Sequence, residues 1–302
     1  MKLIVTGAAG FIGARAAVQL ADRGHEVALL LRPATSTWRL GALLPRVRVI
    51  ASELDALAGV RDAIEGFAPE CCLHLAWYAE PGKYLDSERN FDCLAHTVAL
   101  LRGLAEAGCR SFVMAGTCAE YAASSERLRE SSAVEPATLY AAAKLAALHL
   151  GQQYARLRGL QLAWGRIFLP YGPSEDPRRA IPAAIRTLRG GAQFDATTAG
   201  QLRDFLHVDD VAAAFVTLCE ARATGVYNIC SGEGRTMREV FELIQAKLGL
   251  RDRIRFGAVA PRGWEPPSIV GDNTKLRAAG WTPRHSLEAG LEAILADPGS
   301  PQ

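Results

Sequence analysis

Tyr140 and Lys144 stand four residues apart in the segment LYAAAKLAALHL. In a helix that spacing places both side chains on one face. An unperturbed phenol, with a pKa of about 10, is a poor base at neutral pH, but a neighbouring ammonium favours the phenolate and lowers that value. A phenol tuned in this way can give a proton to a carbonyl oxygen, or take one from a hydroxyl, while hydride moves at the adjacent carbon. Thr117 closes an apolar run upstream and can donate a hydrogen bond to the same oxygen. The pattern Y-x-x-x-K alone arises by chance in many helices. Its weight here comes from its place in the chain, after a glycine-rich turn, a strand ending in Thr117 and a polar loop.

Hydride needs a carrier, and residues 2–24, KLIVTGAAGFIGARAAVQLADRG, offer it a site. A short apolar run leads through glycines at 7, 10 and 13 into an Ala-rich helix ending near Gly24. Such a turn permits a tight strand-to-helix reversal, close approach of the backbone to a pyrophosphate, and close packing of helix on strand. The helix N-terminus then presents free N–H groups to the phosphates. The spacing is G-x-x-G-x-x-G, not the general G-x-G-x-x-G; the bland alternative is a glycine turn without a ligand. With a nicotinamide nucleotide in place, its positive ring also favours the Tyr140 phenolate, and Lys144 gains a second task, holding the ribose hydroxyls.

The cofactor's identity should show at the end of the second strand, expected at 26–31. An acid there grips the 2′-hydroxyl of NAD; this chain has Leu31 and Arg32. Arginine cannot accept a hydrogen bond but pairs with a 2′-phosphate, so NADP(H) is favoured and NAD(H) stays open. The alternative reading is a solvated Arg32 at the strand end, with Thr35, Ser36 and Arg39 deciding the matter. Ligands of open α/β sheets lie outside the carboxyl ends of the strands. On that ground Glu53 and Leu54, Leu75 and Ala76, and Phe168 are expected along the cofactor, Glu53 or Asp55 reaching the adenine amino group. Trp77, in a loop with Tyr78 and Lys83, is a candidate wall of a substrate cleft.

The elements that position these residues alternate. Strands are expected at 3–5, 26–31, 47–50, 71–76, 110–115 and 161–167, with helices at 55–67, 84–107 and from Thr138. This order implies an α/β fold, a Rossmann-type doubly wound parallel sheet. From Leu169 the chain becomes proline-rich and polar, with a helix at 181–189 and a Gly- and Thr-rich loop over 190–204. RDFLHVDDVAAAFVTLCEA then reads as a short strand, an Asp cap at 209 or 210, and a helix. A strand at 226–229 and helices at 236–248 and 286–295 complete the reading. Residues 1–167, with 205–229 returning, form the dinucleotide-binding domain; 168–204 and 230–302 form a smaller substrate-binding lobe.

The 302 residues are 49% hydrophobic and 22% charged, with a net charge of +2, so no strong field points to nucleic acid or a membrane surface. No signal peptide, membrane span, metal-ligand spacing or internal repeat is seen. The seven cysteines (71, 72, 93, 109, 118, 219 and 230) form no C-x-x-C pair. Reduced, mostly buried thiols and a cytoplasmic location are expected.

TGAAGFIG at 6–13, HLA at 74–76, Asn90, GTCAEY at 116–121, YAAAK at 140–144, GRIFLPYGP at 165–173, RDFLHVDDVA at 203–212, GVYNICSG at 225–232 and the tail PRGWEPPSIVGDNTKLRAAGW occur in order. Together they resemble the extended short-chain dehydrogenases/reductases of the nucleotide-sugar epimerase, dehydratase and reductase group. The resemblance implies that Thr117, Tyr140 and Lys144 are catalytic and that Gly7, Gly10, Phe11, Ile12 and Gly13 lie on the cofactor phosphates. It implies a nucleotide-diphosphate sugar substrate, with Arg203 and Arg262 at its diphosphate or ribose and Trp77, Thr117, Cys118 and Leu169 lining its site. It also implies a homodimer through the helices expected at 84–107 and 138–158. Family 4,6-dehydratases carry acids one and two places after the catalytic Thr; here Cys118 and Ala119 stand there, and Glu120 is one residue too late, its side chain re-aimed. Family 3,5-epimerase-reductases pair a Cys two places after the catalytic residue with a downstream His. Here the Cys is one place after it, and YGPSEDPRRAIP has no His. C4 epimerases hold NAD tightly and tend to carry Asn where Leu169 stands. Arg32 and Leu169 together favour a 4-keto-6-deoxy-sugar reductase over a C4 epimerase, and a non-catalytic NADP-binding scaffold is the remote alternative.

Overall fold

The computed structural model describes residues 1–260 and 266–296. In chain order the first half runs β1 (Lys2–Thr6), α1 (Phe11–Asp22), β2 (Glu26–Leu31), β3 (Arg48–Ala51), α2 (Arg61–Phe67), β4 (Cys71–His74), α3 (Arg89–Glu106), β5 (Ser111–Thr117), α4 (Leu139–Arg158) and β6 (Gln161–Ile167). It continues through β7 (Leu169–Tyr171), α5 (Ala180–Arg189), β8 (Phe194–Ala196), β9 (Leu202–His207), α6 (Val208–Glu220) and β10 (Gly225–Ile229). The last part holds β11 (Gly234–Thr236), α7 (Met237–Lys247), β12 (Ile254–Phe256), β13 (Ser268–Ile269), α8 (Thr274–Ala278) and α9 (Leu287–Ala296).

Seven strands form one parallel sheet in the order β10-β6-β5-β4-β1-β2-β3. This is the expected Rossmann-type architecture. Side chains alternate across the pleat, so both faces must be apolar when helices cover both. Leu3, Val5, Cys71 and Leu73 pack with α1 and α6 on one face; Ile4, Cys72, Phe112 and Met114 pack with α3 and α4 on the other. The order reverses between β1 and β4, which opens a crevice at the carboxyl ends of those strands.

Several expectations need correction. The helix expected at 55–67 is a 3₁₀ turn at Leu57–Val60 followed by a shorter helix, and the helix expected from 84 starts at Arg89. β5 runs on to Thr117, two residues past the expected end. The 169–171 and 190–204 stretches are not plain excursions: they hold β7, β8 and the start of β9. β9 pairs with β7, β11 and β13 in a small mixed sheet, so the return expected at residue 205 comes only after residue 207, through α6 and β10. α6 is capped by His207, whose ring accepts the Asp209 N–H; Asp209 and Asp210 lie in the first turn, where they suit the helix dipole. The smaller lobe has its own core of Tyr171, Ile181, Ile185, Val240, Phe241, Ile244 and Leu291. All seven cysteines are free thiols, with Cys93 and Cys118 half-buried and the rest buried. Among the described residues no helix is long and apolar enough to cross a membrane.

Candidate active site

α4 positions the reactive pair. Thr138 caps it by accepting the Ala141 N–H at 3.2 Å, and the Tyr140 N–H is held by the Leu85 carbonyl at 2.8 Å. Buried Ala141, Ala143 and Ala147 let the helix approach β5 and β6 closely. Tyr140 and Lys144 therefore face the end of β5 from the first two turns. The phenol ring is half-buried, edge-on to Tyr84 at 4.9 Å and to Trp77 at 6.3 Å. Lys144 is 3% exposed; its Nζ donates to the Ala115 carbonyl at 2.8 Å and lies 3.8 Å from the centroid of the Trp77 ring. Trp77 is fixed in turn by its Nε1–H to Asn90 Oδ1 at 2.9 Å, and Asn90 is wholly buried.

Burial pulls the Lys144 ammonium down to a pKa of about 7, with Glu120 and then Cys93 opposing. The Tyr140 phenol moves the other way. Burial and then Tyr84 push it well above its ordinary value, and a hydrogen bond with Thr117 only partly offsets this. The expected lowering by the lysine is not what the protein alone produces. Desolvation penalises the phenolate, and the Lys144 ammonium is spent on the Ala115 carbonyl and the Trp77 face. Tyr140 is thus held as a protonated phenol beside the Thr117 hydroxyl.

Behind this group, His74 on β4 bridges two hydroxyls: Nδ1 to Thr6 Oγ1 at 2.7 Å and Nε2 to Thr97 Oγ1 at 2.9 Å. Thr97 donates its own proton to the Cys93 carbonyl, so it accepts from His74, which fixes a neutral ring protonated at Nε2. Burial lowers the His74 pKa from 6.5 to about 3. The unfolded chain therefore binds a proton below pH 6.5 that the folded chain refuses. Stability is complete above that pH and falls as the pH drops through it, by up to about 1.4 kcal/mol per pH unit. Urea unfolding at pH 7, 6 and 5 should show this loss, and His74→Gln should flatten it. Equal slopes in the two proteins would remove His74 as the cause.

The glycine turn lies at the crevice. Gly7 has φ +71°, and Gly10 caps α1 without any side-chain hydrogen bond or first-turn acid. Arg39 bridges this turn to the far side of the cleft, donating to the Ala9 carbonyl at 3.4 Å and the Ser174 carbonyl at 2.8 Å, with its guanidinium on the Trp38 ring. Arg32 is exposed at the end of β2 and forms no ion pair among the described residues. Glu53 is exposed past β3, and Leu54 packs against the core beneath it. Leu75 and Ala76 follow β4 at the switch point, half-buried, their N–H groups held by Thr6. The Phe168 ring is 4% exposed in a cluster with Tyr121, Leu128 and Cys230.

On the substrate side, Cys118 packs at the edge of that same cluster, and burial pushes its thiol up to about 12. Arg203 is buried and donates to the Leu202 and Pro266 carbonyls at 2.9 Å each, which ties it to the frame of the small sheet. Leu169 pairs with Phe205 in that sheet. Arg262 lies outside the described residues. Glu120 is wholly buried and pairs with Arg166, pointing into the core and not into the cleft. One group the sequence did not suggest, His207, Asp209 and His285, brings three possible metal-ligating atoms within 4.8 Å. Each residue is already engaged: His207 caps α6, Asp209 pairs with Arg15, and His285 bonds Asp210. Asn90, Tyr84 and Arg166 were also given no role by the sequence. Tyr84 lies in an irregular loop, and Arg166 reads as an ordinary strand arginine until its strand is known to be buried.

A family model described as "NAD dependent epimerase/dehydratase family" matches residues 3–230. The chain belongs to that family. Among curated relatives, a UDP-glucose 4-epimerase of Corynebacterium glutamicum is 25% identical, aligned over 98% of this chain and 94% of its own length. A GDP-6-deoxy-D-mannose reductase of Pseudomonas aeruginosa is 27% identical over 98% and 96%. Among solved structures, the Thermus thermophilus UDP-glucose 4-epimerase in complex with NAD superposes with a TM-score of 0.84 at 28% identity, covering 98% of this chain and 99% of that one. A nicotinamide dinucleotide, as the family description implies, fits the residues present. The uncapped N-terminus of α1, the exposed Gly10 and the acid-free first turn form a ready anion site. When bound, the dinucleotide supplies or accepts the hydride. At this end of the crevice the chain itself offers the Tyr140 phenol and the Thr117 hydroxyl.

Proposed function

We propose that the protein is an NADPH-dependent reductase of a nucleotide-diphosphate 4-keto-6-deoxy sugar. Tyr140 gives its proton to the keto oxygen, Thr117 orients that oxygen, and Lys144 steadies the phenolate left behind and holds the nicotinamide ribose. Reduction of a ketone needs one proton donor and no second acid or base. Thr117 and Tyr140 meet that need, since Glu120 is locked to Arg166 in the core. A phenol held in its protonated form is the state required to start a reduction; an oxidation starts from the phenolate. Arg203 supplies a buried guanidinium on the substrate side, a group suited to a diphosphate oxygen.

The observation that carries the reading is Arg32, exposed at the end of β2 where NAD-binding chains have an acid. Titration of the protein with NADPH and NADH, followed by ligand fluorescence, should show NADPH binding tighter by at least about tenfold. Tighter NADH binding would overturn the assignment. The likeness to NAD-bound epimerases favours a second reading, a C4 epimerase. That enzyme would purify with NAD absorbance and interconvert two sugars without net use of reduced cofactor.

A further inference from the structure

A buried ion pair lies directly under the reacting group. Glu120 ends the 3₁₀ turn that follows β5 and is 0% exposed; the Arg166 side chain on β6 is 4% exposed. Glu120 Oε2 accepts from Arg166 Nε at 2.7 Å, and Oε1 accepts from Trp164 Nε1 at 3.0 Å and from the Thr117 N–H at 2.9 Å. Thr117 Oγ1 accepts the Ala119 N–H in return, closing a capping box around the residue that must present its hydroxyl to the substrate. Arg166 stacks on the Tyr121 ring at 4.3 Å and also donates to the Glu130 carbonyl. Gly116 is required for this arrangement: a Cβ there would collide with the Trp164 indole, its Cε2 only 2.6 Å away.

A buried pair of this kind is weak evidence for stability, because apolar residues of like volume often serve as well or better. What apolar residues cannot supply is a fixed charge. We propose that Glu120 is a positioning residue, fixing Thr117 through its backbone N–H, with its buried carboxylate biasing Lys144 toward the ammonium form. Lys144 Nζ lies 3.8 Å from the Trp77 ring and 6.0 Å from the Trp164 ring, whose Nε1 donates to Glu120, while Cys93 on α3, His74 on β4 and Tyr140 one turn earlier on α4 are the other titratable groups about it. The His74 ring is neutral and the two thiol and phenol groups are protonated, so Glu120 is the one anion among them. Its own partner Arg166 reduces its reach without cancelling it, since the carboxylate lies between the guanidinium and the β5 end.

The inference rests on the proposed roles of Lys144 and Tyr140, and its test separates the two. Carbon-13 labelling of the lysine side chains lets the Lys144 resonance be identified by its absence from Lys144→Met and followed from pH 5.5 to 10. In Glu120→Gln, which keeps an acceptor for Thr117, the Lys144 midpoint should move down by about one pH unit. Turnover should fall by about tenfold or more, and the limb of its pH profile set by Lys144 should move with the resonance. Should that variant fail to fold with Arg166 unpaired, Glu120→Gln/Arg166→Gln removes both charges and should show the same direction of shift. An unchanged Lys144 midpoint in a folded variant overturns the proposal. A shifted midpoint in a protein inactive on every keto sugar would instead leave Glu120's role standing and refute the reductase reading.

Discussion

Tyr140→Phe should lower turnover by roughly two to four orders of magnitude while dinucleotide binding stays within about twofold. The substitution removes one oxygen and keeps the ring, so the edge contacts with Tyr84 and Trp77 and the backbone bond to Leu85 persist. Lys144 stays anchored on the Ala115 carbonyl, which does not depend on the phenol. Only the proton donor is lost, together with the hydrogen bond to Thr117. A loss in kcat with the sugar KM little changed is the mark of an interaction used in the transition state. Steady-state rates and a fluorescence titration of NADPH measure both halves, and wild-type turnover in the variant would exclude Tyr140 as the acid.

Gly13→Ala should abolish dinucleotide binding, raising the dissociation constant by at least about 100-fold, or about 2.7 kcal/mol. The added Cβ would collide with the Gly7 carbonyl oxygen and lie 2.7 Å from the Gly7 carbonyl carbon and 2.9 Å from Ala8 Cα. All three are backbone atoms of the phosphate turn, so α1 must move off β1 and carry its N-terminal N–H groups away from the crevice. Gly10 is the control: a Cβ there meets only the Gly7 carbonyl oxygen, at 3.1 Å, and Gly10→Ala should bind far better than Gly13→Ala. Near-normal binding by Gly13→Ala, with an unchanged far-ultraviolet circular dichroism spectrum, would contradict the role given to the turn.

Elements with a strong local signal were legible. The bounds of β2 and β6 agree with those read from their apolar runs. Thr138 opens α4 because its hydroxyl satisfies a first-turn N–H, a purely local event. The small sheet was not legible. β7 spans three residues with Pro170 at its centre, and β13 spans two. Neither shows an alternating pattern, and both exist because β9, 36 or more residues away, offers a free edge. The α6 cap was misread because two aspartates invite a cap after a histidine. Starting one turn earlier instead puts both carboxylates at the positive end of the helix dipole.

From its sequence alone, this protein was committed to a phosphate turn, a parallel sheet and a phenol–lysine pair at one helix start, since spacing and backbone chemistry are local. Its tertiary structure decided the charge states. Lys144 near neutrality, a protonated Tyr140, a neutral His74 and a Glu120 turned toward Arg166 follow from burial and from neighbours that converge only when β4, β5, β6 and α4 meet. Desolvation and fields within a few ångströms are properties of that assembled space, and no stretch of chain carries them by itself.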